Sequence, residues 1–176
     1  MSDSLSTVTP LGRPQWHTPL PLTKPPKIIW PWLIAQGSLT QQLRQQAAGQ
    51  FRVQPLSERL TRPSADEARL LNIPSGQWAW VREVYLFGSD DVPWVLARTI
   101  IPMSSLQGYA RRLRYLGARS LGSLLFARHP PTCLRQVAHL PQGWARRSRY
   151  VWRGQPLLVQ ECFLPAFVAH LEQAAC

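Results

Sequence analysis

The sequence predicts an α+β fold, a single antiparallel β-sheet with helices packed on one face. Three observations lead there. Residues 77–101 and 132–164 alternate apolar and polar side chains with the period of two that marks strands. Each stretch folds back on itself at a short turn, and strands joined by short turns pair antiparallel. The capped, helix-like segments are grouped before and between the strand groups, so the parallel βαβ alternation is absent.

The elements follow in order. Residues 1–26 carry Pro10, Pro14, Pro19, Pro21, Pro25 and Pro26 among serines and threonines, which predicts an extended, poorly ordered tail. The folded domain is expected over 27–165, with 166–176 a short tail, either a helical turn or disordered. Pro31 suits the first turn of a short helix through Trp32, Leu33, Ile34 and Ala35, stopped at Gly37. Ser38 followed by Gln41 has the form of a capping box, so a helix runs through Leu43 towards Ala48 and ends at Gly49. Phe51 and Val53 alternate with Arg52 and Gln54 and predict a strand. Ser64 and Glu67 repeat the capping pattern ahead of a helix through Leu71.

A hairpin spans 77–101. Trp78, Trp80, Arg82, Val84 and Leu86 share one face of its first strand. Gly88, Ser89, Asp90 and Asp91 make the turn. Trp94, Leu96, Arg98 and Ile100 share a face of the return strand, which Pro102 ends. The three tryptophans read as core. Residues 104–127 read as two helical segments, broken at Gly117 and restarted near Ser120. Leu106, Tyr109, Leu113 and Leu116 form their apolar stripe, with Arg111, Arg112 and Arg114 around it. Strands over 132–140, 144–152 and 155–164 complete a meander, with turns at Pro141-Gln142-Gly143 and Arg153-Gly154.

Composition narrows the function classes. With 176 residues, 45% of them hydrophobic, one domain with a real core is expected. No apolar run approaches the roughly 20 residues of a membrane span. The N-terminus lacks the regions of a secretory signal, so a cytoplasmic location is expected. Cys133, Cys162 and Cys176 are odd in number and lack C-x-x-C spacing, which argues against a disulfide framework or a zinc site. The net charge of +11 comes almost wholly from arginine, since Lys24 and Lys27 are the only lysines. Nucleic acid, an anionic membrane surface and a small polyanionic substrate all suit that charge, and genomic base composition accounts for part of it.

Glu161 stands out. It is the only acidic residue between Asp91 and Glu172, and strand phasing puts it on one face with Leu157, Val159 and Phe163. Arg82 likewise falls on an apolar face, and Arg98 repeats the theme between Leu96 and Ile100. Two readings stand. Arg82 and Glu161 pair with each other and close the core, as buried ion pairs do. Alternatively they line an internal polar pocket, where the planar fork of an arginine suits a carboxylate ligand.

The remaining candidates point to structure. His17 lies in the tail, His129 before Pro130-Pro131, His139 at a strand end and His170 near the C-terminus, and no spacing among them resembles a metal site. Cys162 faces away from Glu161 and reads as a small packed hydrophobe. There is no Walker loop, no G-x-G-x-x-G and no nucleophile elbow. In Arg146-Arg147-Ser148-Arg149 alternate residues face opposite ways, which splits any nucleic-acid patch; a solvated strand with one arginine turned inward is expected.

Four segments together resemble one family. They are Val92-Pro93-Trp94-Val95-Leu96-Ala97-Arg98-Thr99-Ile100-Ile101-Pro102, Leu121-Gly122-Ser123-Leu124-Leu125-Phe126, Trp144-Ala145-Arg146-Arg147-Ser148-Arg149 and Gly154-Gln155-Pro156-Leu157-Leu158-Val159-Gln160-Glu161-Cys162-Phe163-Leu164-Pro165. In order and spacing, over residues 28–165, they resemble chorismate lyase, which cleaves chorismate to 4-hydroxybenzoate and pyruvate at the start of bacterial ubiquinone synthesis. The resemblance implies an enclosed ligand pocket roofed by helical flaps. It implies ligand contacts at Leu39, Arg82, Leu121 and Glu161, with Arg82 and Glu161 catalytic. Leu39 stands where some members have methionine, and Ala97 where some have glycine before Arg98. The resemblance further implies chorismate as partner, no metal or organic cofactor, no nucleic acid, no stable membrane association, a monomer and product inhibition. Two other readings compete: a non-catalytic small-aromatic-acid sensor of the same fold, and an arginine-rich nucleic-acid-binding protein.

Overall fold

The computed structural model describes residues 16–17, 24–125 and 132–175. Six strands form one antiparallel sheet in the order β1-β2-β3-β6-β5-β4. They are β1 (Arg52–Thr61), β2 (Ala79–Phe87), β3 (Pro93–Pro102), β4 (Thr132–Leu140), β5 (Gly143–Trp152) and β6 (Gln155–Phe163). The hairpin and the meander join where β3 pairs with β6, a contact the strand pattern does not specify. The helices are α1 (Trp30–Ile34), α2 (Leu39–Gln46), α3 (Ala65–Leu71), α4 (Gly122–Leu125) and α5 (Pro165–Ala174).

Local chemistry explains most boundaries. Proline sits in the first turn of α1 and of α5, where no N–H is needed. The Ser38 hydroxyl accepts from the Gln41 N–H at 3.4 Å, one half of the expected box. At Ser64 both halves are made: its hydroxyl accepts from the Glu67 N–H at 3.2 Å, and the Glu67 carboxylate accepts from the Ser64 N–H at 2.8 Å. A register shift between Pro55 and Ser57 bends β1.

Strand alternation gives the sheet two faces. Val84, Leu86, Val95, Ala97 and Phe163 pack against α1, α2 and α5 through Leu33, Leu39, Leu43 and Phe167. Val81, Ile100 and Leu158 point the other way, against Leu71 of α3. Most helices thus gather on one face, and α3 closes part of the other. Beside it Trp16 packs on Leu96, Ala138, Ala145 and Cys162. Within the stretch expected to be loose, two described residues make contacts: His17 exchanges backbone hydrogen bonds with Val137 at 3.0 and 3.1 Å, and the Arg147 guanidinium lies 4.4 Å from the Trp16 ring.

Several elements differ from expectation. The two helical segments over 104–127 are 3-10 turns, Met103–Ser105 and Gly108–Tyr115, followed by the single turn of α4; residues 126–127 lie outside the described residues, as does His129. Leu106, Leu113 and Leu116 are buried as the stripe predicts. Just past the second of these turns the Arg82 Nη2 donates to the Gly117 and Arg119 carbonyls, which holds that stretch of chain against the sheet. The segment after Pro165 is a ten-residue helix anchored by Phe167 and Leu171, whose apolar face the sheet needed as cover. Trp94 is fully buried, but Trp78 is 51% exposed because it precedes the first residue of β2; the Arg62 guanidinium lies 5.2 Å from its ring. Arg146 and Arg147 are both buried, on opposite faces, where one inward arginine was expected.

The second buried arginine belongs to a polar ladder on the α3 face. Register aligns Ser57, Glu83, Arg98, Gln160, Arg147 and Gln136 across all six strands. Glu67 sits over its centre and accepts from Arg98 at 3.0 Å and Gln160 at 2.8 Å; Arg98 also donates to Glu83 at 2.8 Å. Asp66 accepts from Arg147. Burial opposes the Arg98 charge, yet Glu67 and Glu83 outweigh it and hold the guanidinium above its ordinary range. Each buried charge has a partner, as the interior demands.

Candidate active site

A cavity lies between the other face of the sheet and the helices. Its lining includes Leu39, Arg82, Leu121 and Glu161 together with Thr40, Val84, Ala97, Thr99, Ser120, Tyr150 and Val159. All four residues singled out in the sequence therefore reach one chamber. The period of two makes this possible: Arg82 pairs in register with Thr99, Thr99 with Val159, and Ala97 with Glu161, so their side chains stand on a common floor.

The two charged residues do not pair with each other. Arg82 is 4% exposed and its Nε donates to Glu58 Oε1 at 2.7 Å. Its Nη2 serves the Gly117 and Arg119 carbonyls. Among the described residues that leaves Nη1 as its remaining donor, so a bidentate clamp through Nε and Nη2 is already occupied by the protein. The Glu161 Oε2 accepts from Arg146 Nε at 2.5 Å. Arg146, fully buried, also donates through Nη1 to the Trp32 carbonyl at 2.6 Å and the Ala35 carbonyl at 3.1 Å, which ties Glu161 to the end of α1.

The roof comes from two chain segments. Leu39 opens α2, where the first N–H groups have no partner within the helix. Leu121 immediately precedes α4. The two segments meet closely at Gly122, where a Cβ would lie 2.3 Å from the Ser38 Oγ, so only glycine lets α2 and α4 approach this far.

Glu58, Arg146 and Tyr150 were not anticipated as site residues. Arg146 was within reach: counting back from the Arg153-Gly154 turn, Trp152 opposite Gln155 places Arg146 opposite Glu161. Glu58 was not, because the whole of α3 and its flanking loops intervene before its partner strand. Arg98, the third charge on an apolar strand, belongs to the opposite ladder and does not reach the cavity. Cys162 faces that side too, 1% exposed, and burial pushes its thiol up to about 12, so it is no nucleophile. His139 packs tilted against Trp144 at 4.8 Å and His170 against Trp94 at 4.3 Å between ring centres. Among the described residues no group of histidine, cysteine and acidic side chains could hold a metal ion, and no helix is long and apolar enough to cross a membrane.

Known proteins resemble this chain in sequence over most of its length. A protein of Acinetobacter baumannii named probable chorismate pyruvate-lyase is 45% identical over 157 residues, covering 87% of this chain and 93% of that protein. A protein of the same name from Pseudomonas aeruginosa strain UCBPP-PA14 is 44% identical over 147 residues, covering 77% and 82%. Among solved structures, a GntR-family transcriptional regulator from Bacillus cereus aligns with a TM-score of 0.48 at 13% identity, over 66% of this chain and 92% of that one, a likeness too slight to carry an argument. The profile described as chorismate lyase matches residues 11–171, and the chain belongs to the chorismate lyase family.

Proposed function

We propose that this protein is a chorismate pyruvate-lyase, which eliminates pyruvate from chorismate to give 4-hydroxybenzoate for ubiquinone biosynthesis. The observation that carries this reading is the single cavity lined by Leu39, Arg82, Leu121 and Glu161. The nucleic-acid alternative loses its main support, because Arg146 and Arg147 are buried in ion pairs. The sensor alternative keeps the pocket but gives the Glu161 carboxylate no task.

The reaction balances within the substrate. The carbon–oxygen bond to the enolpyruvyl group breaks, the ring loses a proton, and the released enolpyruvate takes up a proton and becomes pyruvate. Aromatisation makes the step strongly downhill, so the protein has to hold a reactive conformer and stabilise the leaving oxygen. Arg82 Nη1 receives the ring carboxylate. The N–H groups of Leu39 and Leu121, at helix starts, favour the same anion. Glu161 faces the ring hydroxyl. Its Oε2 is held by the Arg146 Nε, so Glu161 is given the task of orienting the ring through hydrogen bonding. No metal or organic cofactor takes part. The excess positive charge steers the dianion inward.

The domain is taken as 27–165 with short tails, the chain as a cytoplasmic monomer with neither nucleic acid nor a stable membrane contact as partner. The test is direct: Glu161→Gln, which keeps the shape but not the charge, loses most turnover of chorismate while its thermal transition stays within a few degrees of wild type. Wild-type turnover from that variant would sink the role given to Glu161.

A further inference from the structure

The cavity floor crosses five strands, with Val53 of β1 at its edge. Arg82 stands on β2 at one side and Tyr150 on β5 at the other, with Ala97 and Thr99 of β3 and Val159 and Glu161 of β6 between them. Neighbouring strands lie about 4.8 Å apart, so the two backbones are roughly 14 Å apart across the sheet. Arg82 and Glu161 each have an opposite charge beside them. Across the cavity stands a cation that does not: Arg135 of β4 makes no ion pair among the described residues. Its Nε donates to Ser148 Oγ at 3.0 Å, its Nη1 to the Ala35 carbonyl, and its Nη2 makes a long bond of 3.5 Å to the Tyr150 hydroxyl oxygen. A half-buried guanidinium without a carboxylate is costly unless an anion visits it. Tyr150, 4% exposed, stands between that charge and the cavity.

We propose that the Tyr150 hydroxyl, with Arg135 behind it, forms a second anion subsite that receives the enolpyruvyl carboxylate of the substrate. The inference rests on the chorismate reading given above. Chorismate carries two carboxylates, and Arg82 has only Nη1 left to offer, so one of them needs another donor. A phenol that accepts from a guanidinium is polarised and becomes a stronger donor. Burial, with the Glu161 carboxylate adding to it, raises the Tyr150 phenol above its ordinary range, so it keeps its proton at neutral pH. The substrate then lies with its ring carboxylate at Arg82, its hydroxyl at Glu161 and its leaving group towards β5. Tyr150 is in this reading a specificity residue for the dianion, and Arg135 a positioning residue acting through it.

The experiment compares two ligands on purified full-length wild type and Tyr150→Phe. Chorismate has the second carboxylate and 4-hydroxybenzoate lacks it. A hydrogen bond to a charged group predicts that Tyr150→Phe raises the KM for chorismate roughly tenfold or more, while the Kd of 4-hydroxybenzoate stays within about twofold. Arg135→Gln shifts the chorismate KM in the same direction by less, and carries the test if Tyr150→Phe does not fold. An unchanged chorismate KM, or an equal loss for both ligands, overturns the subsite and leaves Tyr150 a packing residue. Failure of the wild type to turn over chorismate would sink the function itself; calorimetric titration with the same two ligands then still reads whether Tyr150 selects the dianion.

Discussion

Arg146 and Glu161 face each other across β5 and β6, with the Arg146 Nε donating to the Glu161 Oε2 at 2.5 Å inside the sheet's helix-covered face. The pair makes the two substitutions of Glu161 unequal. Glu161→Gln leaves a neutral acceptor for Arg146. Glu161→Ala strands a fully buried guanidinium. Removing one partner of a buried pair costs about 3–5 kcal/mol, so Arg146→Met is expected to lose that much stability in urea unfolding, and Glu161→Ala to be less stable than Glu161→Gln. A loss under about 1 kcal/mol for Arg146→Met would contradict the pairing.

Arg82 has a structural job beside the ligand role proposed for it. It holds Glu58 and the carbonyls of Gly117 and Arg119 at once, a geometry that a lysine ammonium cannot reproduce. Arg82→Lys is therefore expected to lose roughly a hundredfold in kcat/KM despite keeping the charge. Steady-state kinetics on chorismate check this, and near-normal kinetics would show that charge alone suffices.

The ladder on the α3 face separates stability from activity. Glu67 caps α3 and accepts from Arg98 and Gln160, yet it lies across the sheet from the cavity. Glu67→Ala is expected to lower stability by about 3 kcal/mol while kcat of the folded enzyme changes less than threefold. A selective collapse of kcat at full stability would place Glu67 in the mechanism.

Cys162 gives a pH prediction. Burial raises its thiol from 9.0 to about 12, so the folded state holds that proton more tightly than the unfolded chain. The resulting stability is complete below pH 9 and is lost as pH rises through about 12, by up to about 1.4 kcal/mol per pH unit. Tyr150 is raised as well and adds to the alkaline loss above its ordinary range. Thermal unfolding from pH 8 to 11 should fall less steeply for Cys162→Ala than for wild type. Parallel curves would mean that the thiol does not couple to folding.

A pocket roofed by the starts of α2 and α4 also predicts that product leaves slowly and competes with substrate. Added 4-hydroxybenzoate should flatten the progress curve from its start. Curves indifferent to it would count against an enclosed site.

Much of this was legible in the chain because strands repeat every two residues. That period put Arg82, Val84 and Leu86 on one face, and Val159, Glu161 and Phe163 on another, before any pairing was known. It could not say that β3 pairs with β6, which brings the two faces into one floor, because that contact depends on which edges the hairpin and the meander present to each other. The partners of Arg82 and Glu161 were hidden for the same reason. The Arg146 pairing could be counted from a two-residue turn, but α3 separates Glu58 from the strand that carries Arg82. The 3-10 form of Gly108–Tyr115 was hidden differently: its apolar stripe fits an α-helix equally well. Trp78 failed on position alone, one residue short of the strand it was phased with.

The most direct test of the central claim is to incubate the purified protein with chorismate and quantify 4-hydroxybenzoate and pyruvate over time, beside Glu161→Gln. The account predicts that both products appear together in equal amounts with wild type and are largely lost with the variant. Chorismate left unchanged by the folded wild-type protein would contradict it.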